Sequence, residues 1–307
     1  MEISIVSPVY KADKIIDELV KRISHELQKI TNDYEIILVE DGSPDNCWHR
    51  IEENCRNNTK VVGIKLSRNF GQHYAITAGI ENAKGKTIVL MDCDLQDDPV
   101  FIADLLKERD NGYDIVFTKR KIRKHSLIKA FNSYAYNKLF NIFSDRKYDV
   151  NAGSLVCFSQ QVGKVFLQLK DKDRLYLQML KWIGYNSTTI VVAHRERYEG
   201  MSSYNLYKLI KLGVQGWTSH SDKLLKITSY LGFIMSLLSF VIGVGIAIGH
   251  FFYKHQTGWP SIIVSIFFST GLILMGMGIL GVYTGKIFQQ VKDRPLYIIE
   301  KKINYEQ

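Results

Sequence analysis

Thr87-Ile88-Val89-Leu90-Met91-Asp92-Cys93-Asp94-Leu95-Gln96-Asp97-Asp98-Pro99 passes from an apolar, partly β-branched run straight into four carboxylates within seven residues. Such a run predicts a buried strand, and Asp97-Asp98-Pro99 predicts the cap of a following helix. The same pattern recurs through the first half of the chain. Short β-branched runs at Ile3 to Val6, Glu35 to Val39, Val61 to Leu66 and Asp114 to Thr118 alternate with helical patterns. The clearest helix spans Asp13 to Ile30, where Ile15, Ile16, Leu19, Val20, Ile23, Leu27 and Ile30 make one apolar face behind an Asp13 N-cap. Strands alternating with helices predict right-handed βαβ units, hence an α/β fold with a mostly parallel, Rossmann-like sheet.

Ligands of such sheets bind beyond the carboxyl ends of the strands. That rule selects Pro8-Val9-Tyr10, Glu40-Asp41-Gly42-Ser43, Asp92 to Asp98, and Lys119-Arg120, and predicts that they share one crevice. Asp92 and Asp94 concentrate like charge where repulsion is costly unless a divalent cation bridges them to diphosphate oxygens. Glu40-Asp41-Gly42-Ser43 reads either as a strand-to-helix turn capped by Ser43 or Asp45, or as an acceptor, Asp41, for a base or ribose. The absence of Gly-x-Gly-x-x-Gly and Gly-Lys-Ser/Thr loops disfavours dinucleotide enzymes and P-loop NTPases. Asp173 is either a base for a hydroxyl acceptor or part of a surface ion pair with Lys172 and Arg174. Gln178-Met179-Leu180-Lys181-Trp182 is expected to be a packed helix end, not the polymer-holding signature of processive synthases.

Over 307 residues the net charge is +9, and the mean hydropathy of -0.08 is that of a soluble protein. The average conceals a split, because between Ile227 and Gly285 the only formal charge is Lys254. Two charge-free runs there, Ile227 to Phe252 and Trp259 to Tyr283, are each long enough to cross a hydrocarbon core of about 30 Å. The expected organisation is a catalytic domain over 1–203, interfacial amphipathic helices over 204–226, a two-helix transmembrane hairpin over 227–253 and 259–285, and a tail over 286–307. The stretch with Tyr204, Tyr207, Lys208, Lys211, Trp217 and Lys223 suits an anionic lipid surface, and lysines bordering a span argue against nucleic acid as the partner. Lysines and arginines flank the spans on the terminal sides, while the connecting loop offers only Lys254, so both termini are expected in the cytosol. Met1-Glu2 leads into the first strand without a signal-peptide pattern. The four cysteines have no metal-ligand or redox spacing, which suits a reducing compartment. A Gly-rich second span permits close helix packing and so a homo-oligomer.

Several motifs together carry a resemblance. They are Ser7-Pro8-Val9-Tyr10, Val39-Glu40-Asp41-Gly42-Ser43, Leu66-Ser67-Arg68-Asn69-Phe70-Gly71-Gln72, Met91 to Pro99, and Arg195-Glu196-Arg197-Tyr198-Glu199-Gly200-Met201-Ser202-Ser203-Tyr204. In this order they resemble the family 2 glycosyltransferases, and within them the polyprenyl-phosphate type that includes bactoprenol glucosyltransferases and dolichol-phosphate mannose synthases. The resemblance covers nearly the whole chain. It implies a GT-A fold, a nucleotide-sugar donor such as UDP-glucose, Mg2+ or Mn2+, and inverting transfer of one hexose to a polyprenyl (undecaprenyl) phosphate at the cytosolic face of a bacterial inner membrane. It also implies roles. Pro8, Tyr10, Glu40, Asp41, Arg68 and Asp92 would bind the donor; Asp92, Asp94 and Gln96 the metal and diphosphate; Arg120, Arg195, Arg197 and Ser203 the acceptor phosphate. Asp92, Asp94, Arg120 and Arg197 would be the catalytic set. Three positions depart from the pattern: Glu40 stands where Asp is usual, residues 151–156 lack a Phe-Arg-Leu run, and Asn205 replaces a basic residue. The alternatives are transfer to a glycan or glycolipid hydroxyl, and a scaffold that only binds nucleotide.

Overall fold

The computed structural model describes residues 1–120, 152–192, 223–252 and 258–305. These fall into two compact units: one holds the sheet together with the residues from Arg294 onward, and the other holds two long helices.

In the first unit the described strands are β1 (Ile3–Val9), β2 (Tyr34–Glu40), β3 (Val61–Leu66), β4 (Thr87–Leu90), β5 (Ile115–Arg120), β6 (Ala152–Ser159), β7 (Ser187–Val192) and β8 (Ile299–Ile303). They form one sheet in the order β7-β5-β6-β4-β1-β2-β3-β8. β1 is parallel to β2 and β4, β2 to β3, and β5 to β7; β6 is antiparallel to β4 and β5, and β8 to β3. The expected α/β, mostly parallel sheet is present, mixed by the antiparallel strands β6 and β8, and all five predicted strands are in it. Successive residues of buried strands feed opposite faces. Ile5, Ile36 and Leu38 pack with helices α1 (Ile16–Gln28), α2 (Cys47–Asn57) and α4 (Ile102–Asp110). Val6, Ile37 and Val39 pack with α3 (Gln72–Asn82), α5 (Gln160–Gln168) and α6 (Tyr176–Ile183).

The face predicted for α1 is buried at Ile15, Ile16, Leu19, Val20, Ile23 and Leu27, each such side chain stabilising by roughly 1.5–3 kcal/mol. Its ends differ from the reading. Asp13 is not the N-cap: its N–H donates to Asp45 Oδ2 at 3.3 Å, Ile15 N–H closes a turn onto Ala12, and the helix starts at Ile16. Ile30 lies past the last helical residue and is exposed.

β8 falls in the stretch read as a tail. Its Ile-Glu-Lys-Lys-Ile pattern carries too much charge to read as a core strand, but an edge strand facing water tolerates it.

The second unit contains α7 (Lys223–Phe252) and α8 (Trp259–Val291), which touch each other. α7 begins before residue 227 and α8 continues past 285, since Lys286, Gln289 and Gln290 are good helix formers although polar. Where two membrane spans were expected, one segment among the described residues, Ser265–Val291, is both long and apolar enough to cross a membrane. At about 1.5 Å per residue its 27 residues exceed a hydrocarbon core of about 30 Å, and its apolar side chains are not buried within the protein.

Candidate active site

β1, β2, β3 and β4 run in one direction, so their carboxyl ends share one edge of the sheet. β5 points the same way beyond β6, with Arg120 as its last residue.

Asp41 follows β2 and is 2% exposed. Its Oδ1 accepts from Phe70 N–H at 2.7 Å and its Oδ2 from Gly71 N–H at 2.9 Å, while Asn69 Nδ2 donates to its carbonyl at 2.9 Å. Its own N–H donates to Val9 O at 3.0 Å. Burial pushes the carboxyl above its ordinary 3.8, opposed by those two N–H groups and the Arg68 charge. Gly42, at φ +59°, makes this close approach possible: a Cβ there would lie 2.2 Å from Asn69 N. The turn after β2 and the loop after β3, Ser67 to Gln72, are thus fastened together.

Glu40 is 1% exposed and accepts from Ser43 N–H, and burial pushes its carboxyl above the ordinary 4.5. Ser43 Oγ accepts from Lys11 N–H at 2.8 Å and donates to Asp45 Oδ1 at 2.6 Å. Asp45 Oδ1 also takes Cys47 N–H at 3.3 Å, although α2 has Asn46 at its N-cap without a side-chain bond. Of the two readings of Glu40 to Ser43, these bonds supply the turn; a nucleotide would have to share oxygens that Asp41 already uses.

After β4 the environment changes, for Asp92 and Asp94 are only half-buried. Gln72 Nε2 donates to Asp92 Oδ1 at 2.6 Å, and Gln96 N–H donates to Asp94 Oδ1 at 3.2 Å. Between them Leu95 is held at φ +55°, and Lys11, beside Tyr10, at φ +53°. A left-handed non-glycine residue costs about 1–2 kcal/mol, and such strain concentrates at ligand sites. The other two carboxylates serve the fold. Asp98 caps the turn Pro99–Phe101 through Val100 N–H at 3.2 Å, as predicted, and buried Asp97 accepts from Ser154 Oγ at 2.8 Å.

Pro8 is buried within β1 opposite Val39, whereas Tyr10 is 43% exposed. Arg68 is exposed with its guanidinium 4.1 Å from the Phe70 ring centre. Arg195, Arg197, Ser203 and the stretch 204–222 lie outside the described residues, as does Asn205. The sequence reading assigned no role to Gln72, Asn69 or Ser154. Gln72 and Asn69 had only membership of the Leu66 to Gln72 motif as a signal, and Ser154, 57 residues from the Asp97 it binds, had none.

The family model described as glycosyl transferase family 2 matches residues 4–166. The chain belongs to glycosyl transferase family 2. The uncharacterized glycosyltransferase YkcC of Bacillus subtilis is 32% identical over 308 aligned positions, covering 100% of this chain and 95% of that protein. The SfII prophage-derived bactoprenol glucosyl transferase of Shigella flexneri is 32% identical over 303, covering 98% of each. Among solved structures, the mannosyltransferase PcManGT of Pyrobaculum calidifontis, in complex with GDP-Man and Mn2+, is similar with a TM-score of 0.49 at 13% identity, over 96% of this chain and 76% of that one.

In this family 2 glycosyltransferase the donor set fits a hard divalent ion shared with substrate. Asp92 and Asp94 offer carboxylate oxygens at a strand end, and no group of three His, Cys, Asp or Glu side chains forms a closed cage among the described residues. Mg2+ and Mn2+ sites of this kind need only one or two carboxylates, with phosphate and water completing the shell. Other groups are structural. Arg174 is buried, donating to Thr77 Oγ1 at 2.9 Å, Leu169 O at 2.6 Å and Phe166 O at 3.0 Å, so it is not the surface ion-pair partner expected for Asp173. Trp182 does sit at a helix end, closed by Gly184 at φ +79°, but is 62% exposed instead of packed, because the α6 face that meets the core is Tyr176, Met179 and Leu180. Burial lowers the His73 pKa to about 4, leaving it neutral at pH 7 beside the Tyr176 ring. The four cysteines are free, their thiols pushed up to about 12 by burial.

Proposed function

We propose that this glycosyltransferase moves one hexose from a nucleoside-diphosphate sugar, UDP-glucose or a close analogue, to undecaprenyl phosphate, with inversion, at the cytosolic face of a bacterial inner membrane, for cell-surface glycan modification. The observation that carries the reading is similarity along the entire chain: relatives named bactoprenol glucosyl transferase match 98% of it at 30–32% identity. Exposed Tyr10, the half-buried pair Asp92 and Asp94, and an apolar helix of membrane-spanning length support it.

A lipid monophosphate has a second pKa of about 6, so at pH 7 its oxygen is largely ionised and attacks the anomeric carbon without a general base. The new bond to C1 forms as the bond from C1 to the nucleoside diphosphate breaks on the opposite face. Tyr10 stacks on the base, and Asp41 and Arg68 shape the wall around it. Asp92, Asp94 and Gln96 would hold Mg2+ or Mn2+, which would supply neutralisation of the charge on the departing diphosphate. Arg120, Arg195, Arg197 and Ser203 guide the acceptor phosphate by charge-assisted hydrogen bonds. The apolar segment Ser265–Val291 of α8 holds the catalytic unit at the membrane, where the acceptor's lipid tail is buried.

Purified protein incubated with a panel of nucleotide sugars and undecaprenyl phosphate is expected to yield a hexosyl phospholipid, identified by mass and cleaved by mild acid. An acid-stable glycoside would replace this reading with transfer to a hydroxyl; no sugar-bearing product from any donor would end it.

A further inference from the structure

We infer that the C-terminal strand β8 is a positioning element for the donor side of the active site, acting through the loop Ser67 to Gln72; this rests on the proposed function. Apart from Phe70, which packs against the core, that loop carries little packing of its own. Ser67, Arg68 and Asn69 are exposed, and Gly71 stands at φ +110°. Its shape therefore depends on where it is fastened. Two fastenings face the site: Asp41 takes the Phe70 and Gly71 N–H groups, and Gln72 holds Asp92. The others come from the chain's last residues. Ser67 N–H, at the start of the loop, donates to Ile298 O at 2.9 Å. Just past its end, Tyr74 Oη donates to Lys172 O at 2.6 Å, and Lys172 Nζ in turn donates to the carbonyl of Arg294.

The segment that supplies these contacts is itself anchored. β8 pairs antiparallel with β3, with Lys65 Nζ 2.9 Å from Glu300 Oε1 and Lys301 Nζ 2.7 Å from Glu52 Oε1. Asn304, in the left-handed region at φ +56°, donates through Nδ2 to the carbonyls of Cys55 at 2.6 Å and Val61 at 2.9 Å. A strand serving only to cover the edge of β3 would need the pairing and the surface charges. It would not need to reach past the end of β3 and hold the first residue of a ligand loop, as Ile298 O does for Ser67 N–H. With β8 released, the loop loses its fastening at Ser67 and keeps its bonds to Asp41 and Asp92 and the Tyr74 tie to Lys172, so its first half opens more often and the donor meets a less organised wall.

The test uses two full-site readouts: hydrogen exchange at the Phe70 and Gly71 amides, and the split between KM and kcat. In protein truncated after Tyr297, exchange at Phe70 and Gly71 should quicken roughly tenfold while Ile5 and Ile37 stay protected. Donor KM should rise about fivefold or more, with kcat and acceptor KM within about twofold. A peptide of residues 298–307 should restore donor KM, and a scrambled peptide should not. If the truncated chain fails to fold, the full-length double variant Lys301→Glu with Asn304→Ala decides by the same readouts. Unchanged exchange at Phe70 and Gly71, or equal losses in every kinetic parameter, would overturn the proposal. Should the intact protein use no nucleotide sugar, the functional reading fails and the exchange rates alone decide this one.

Discussion

Two acidic pairs stand at neighbouring strand ends, Glu40-Asp41 after β2 and Asp92-x-Asp94 after β4, and the protein treats them in opposite ways. The first pair is sealed, with backbone N–H groups of Ser43, Phe70 and Gly71 donating to its carboxylates. The second remains half-open to water, steadied by one side-chain amide and one turn. Acidic residues at the mouth of a sheet therefore do two different jobs, and burial separates them. Sealed carboxylates replace missing secondary-structure acceptors and build the wall; open ones retain the solvation that a hydrated cation and its phosphate can exchange for coordination.

The largest expected effect lies in the open pair. Asp94→Ala should reduce transfer by about a thousandfold or more by removing electrostatic stabilisation of the leaving group, and excess EDTA should do the same to the wild type. Its stability should stay within roughly 0.5 kcal/mol. Turnover near wild type in either case would remove the metal assignment. In the sealed pair the order reverses: Asp41→Ala leaves two backbone donors without their acceptor and should cost about 2–4 kcal/mol of unfolding free energy by urea titration. If Asp41→Ala were as stable as Asp94→Ala, the distinction between wall and site would collapse.

How much of this the sequence revealed follows from the same physics. β1 to β5 were legible because their apolar runs are continuous, and the α1 face because its period is helical. β6 opens with Ala152-Gly153-Ser154, β7 is half-exposed, and β8 alternates charges whose partners, Glu52 and Lys65, lie more than two hundred residues earlier in the chain. No local pattern reports such contacts. At the site, Asp92, Asp94 and the Asp98 cap were legible from type and spacing. The division of labour was not, because it depends on Gly42 and Gly71 bringing the loop after β3 onto Asp41, and on Gln72, an uncharged residue at a helix start, reaching Asp92.

The smallest expected effect is also the one that tests burial directly. Burial raises the Glu40 carboxyl above 4.5, so between that value and its folded value the native protein holds more protons than the unfolded chain. Stability supplied by this group is complete below about pH 4.5 and declines as pH rises through the window. Asp45 has the opposite sign: burial alone would raise it, but hydrogen bonds from Cys47, Ser43 and Asp13 hold it below 3.8, so its contribution is present above that value and disappears toward lower pH. Glu40→Gln should therefore remove a decline that the wild type shows as pH rises above about 4.5, and Asp45→Asn should remove a loss on the acid side. Unfolding free energies measured across that range for the three proteins would show it. Parallel curves for wild type and Glu40→Gln would mean that burial does not raise the Glu40 carboxyl, and the contrast between the two pairs would then reduce to their hydrogen bonds.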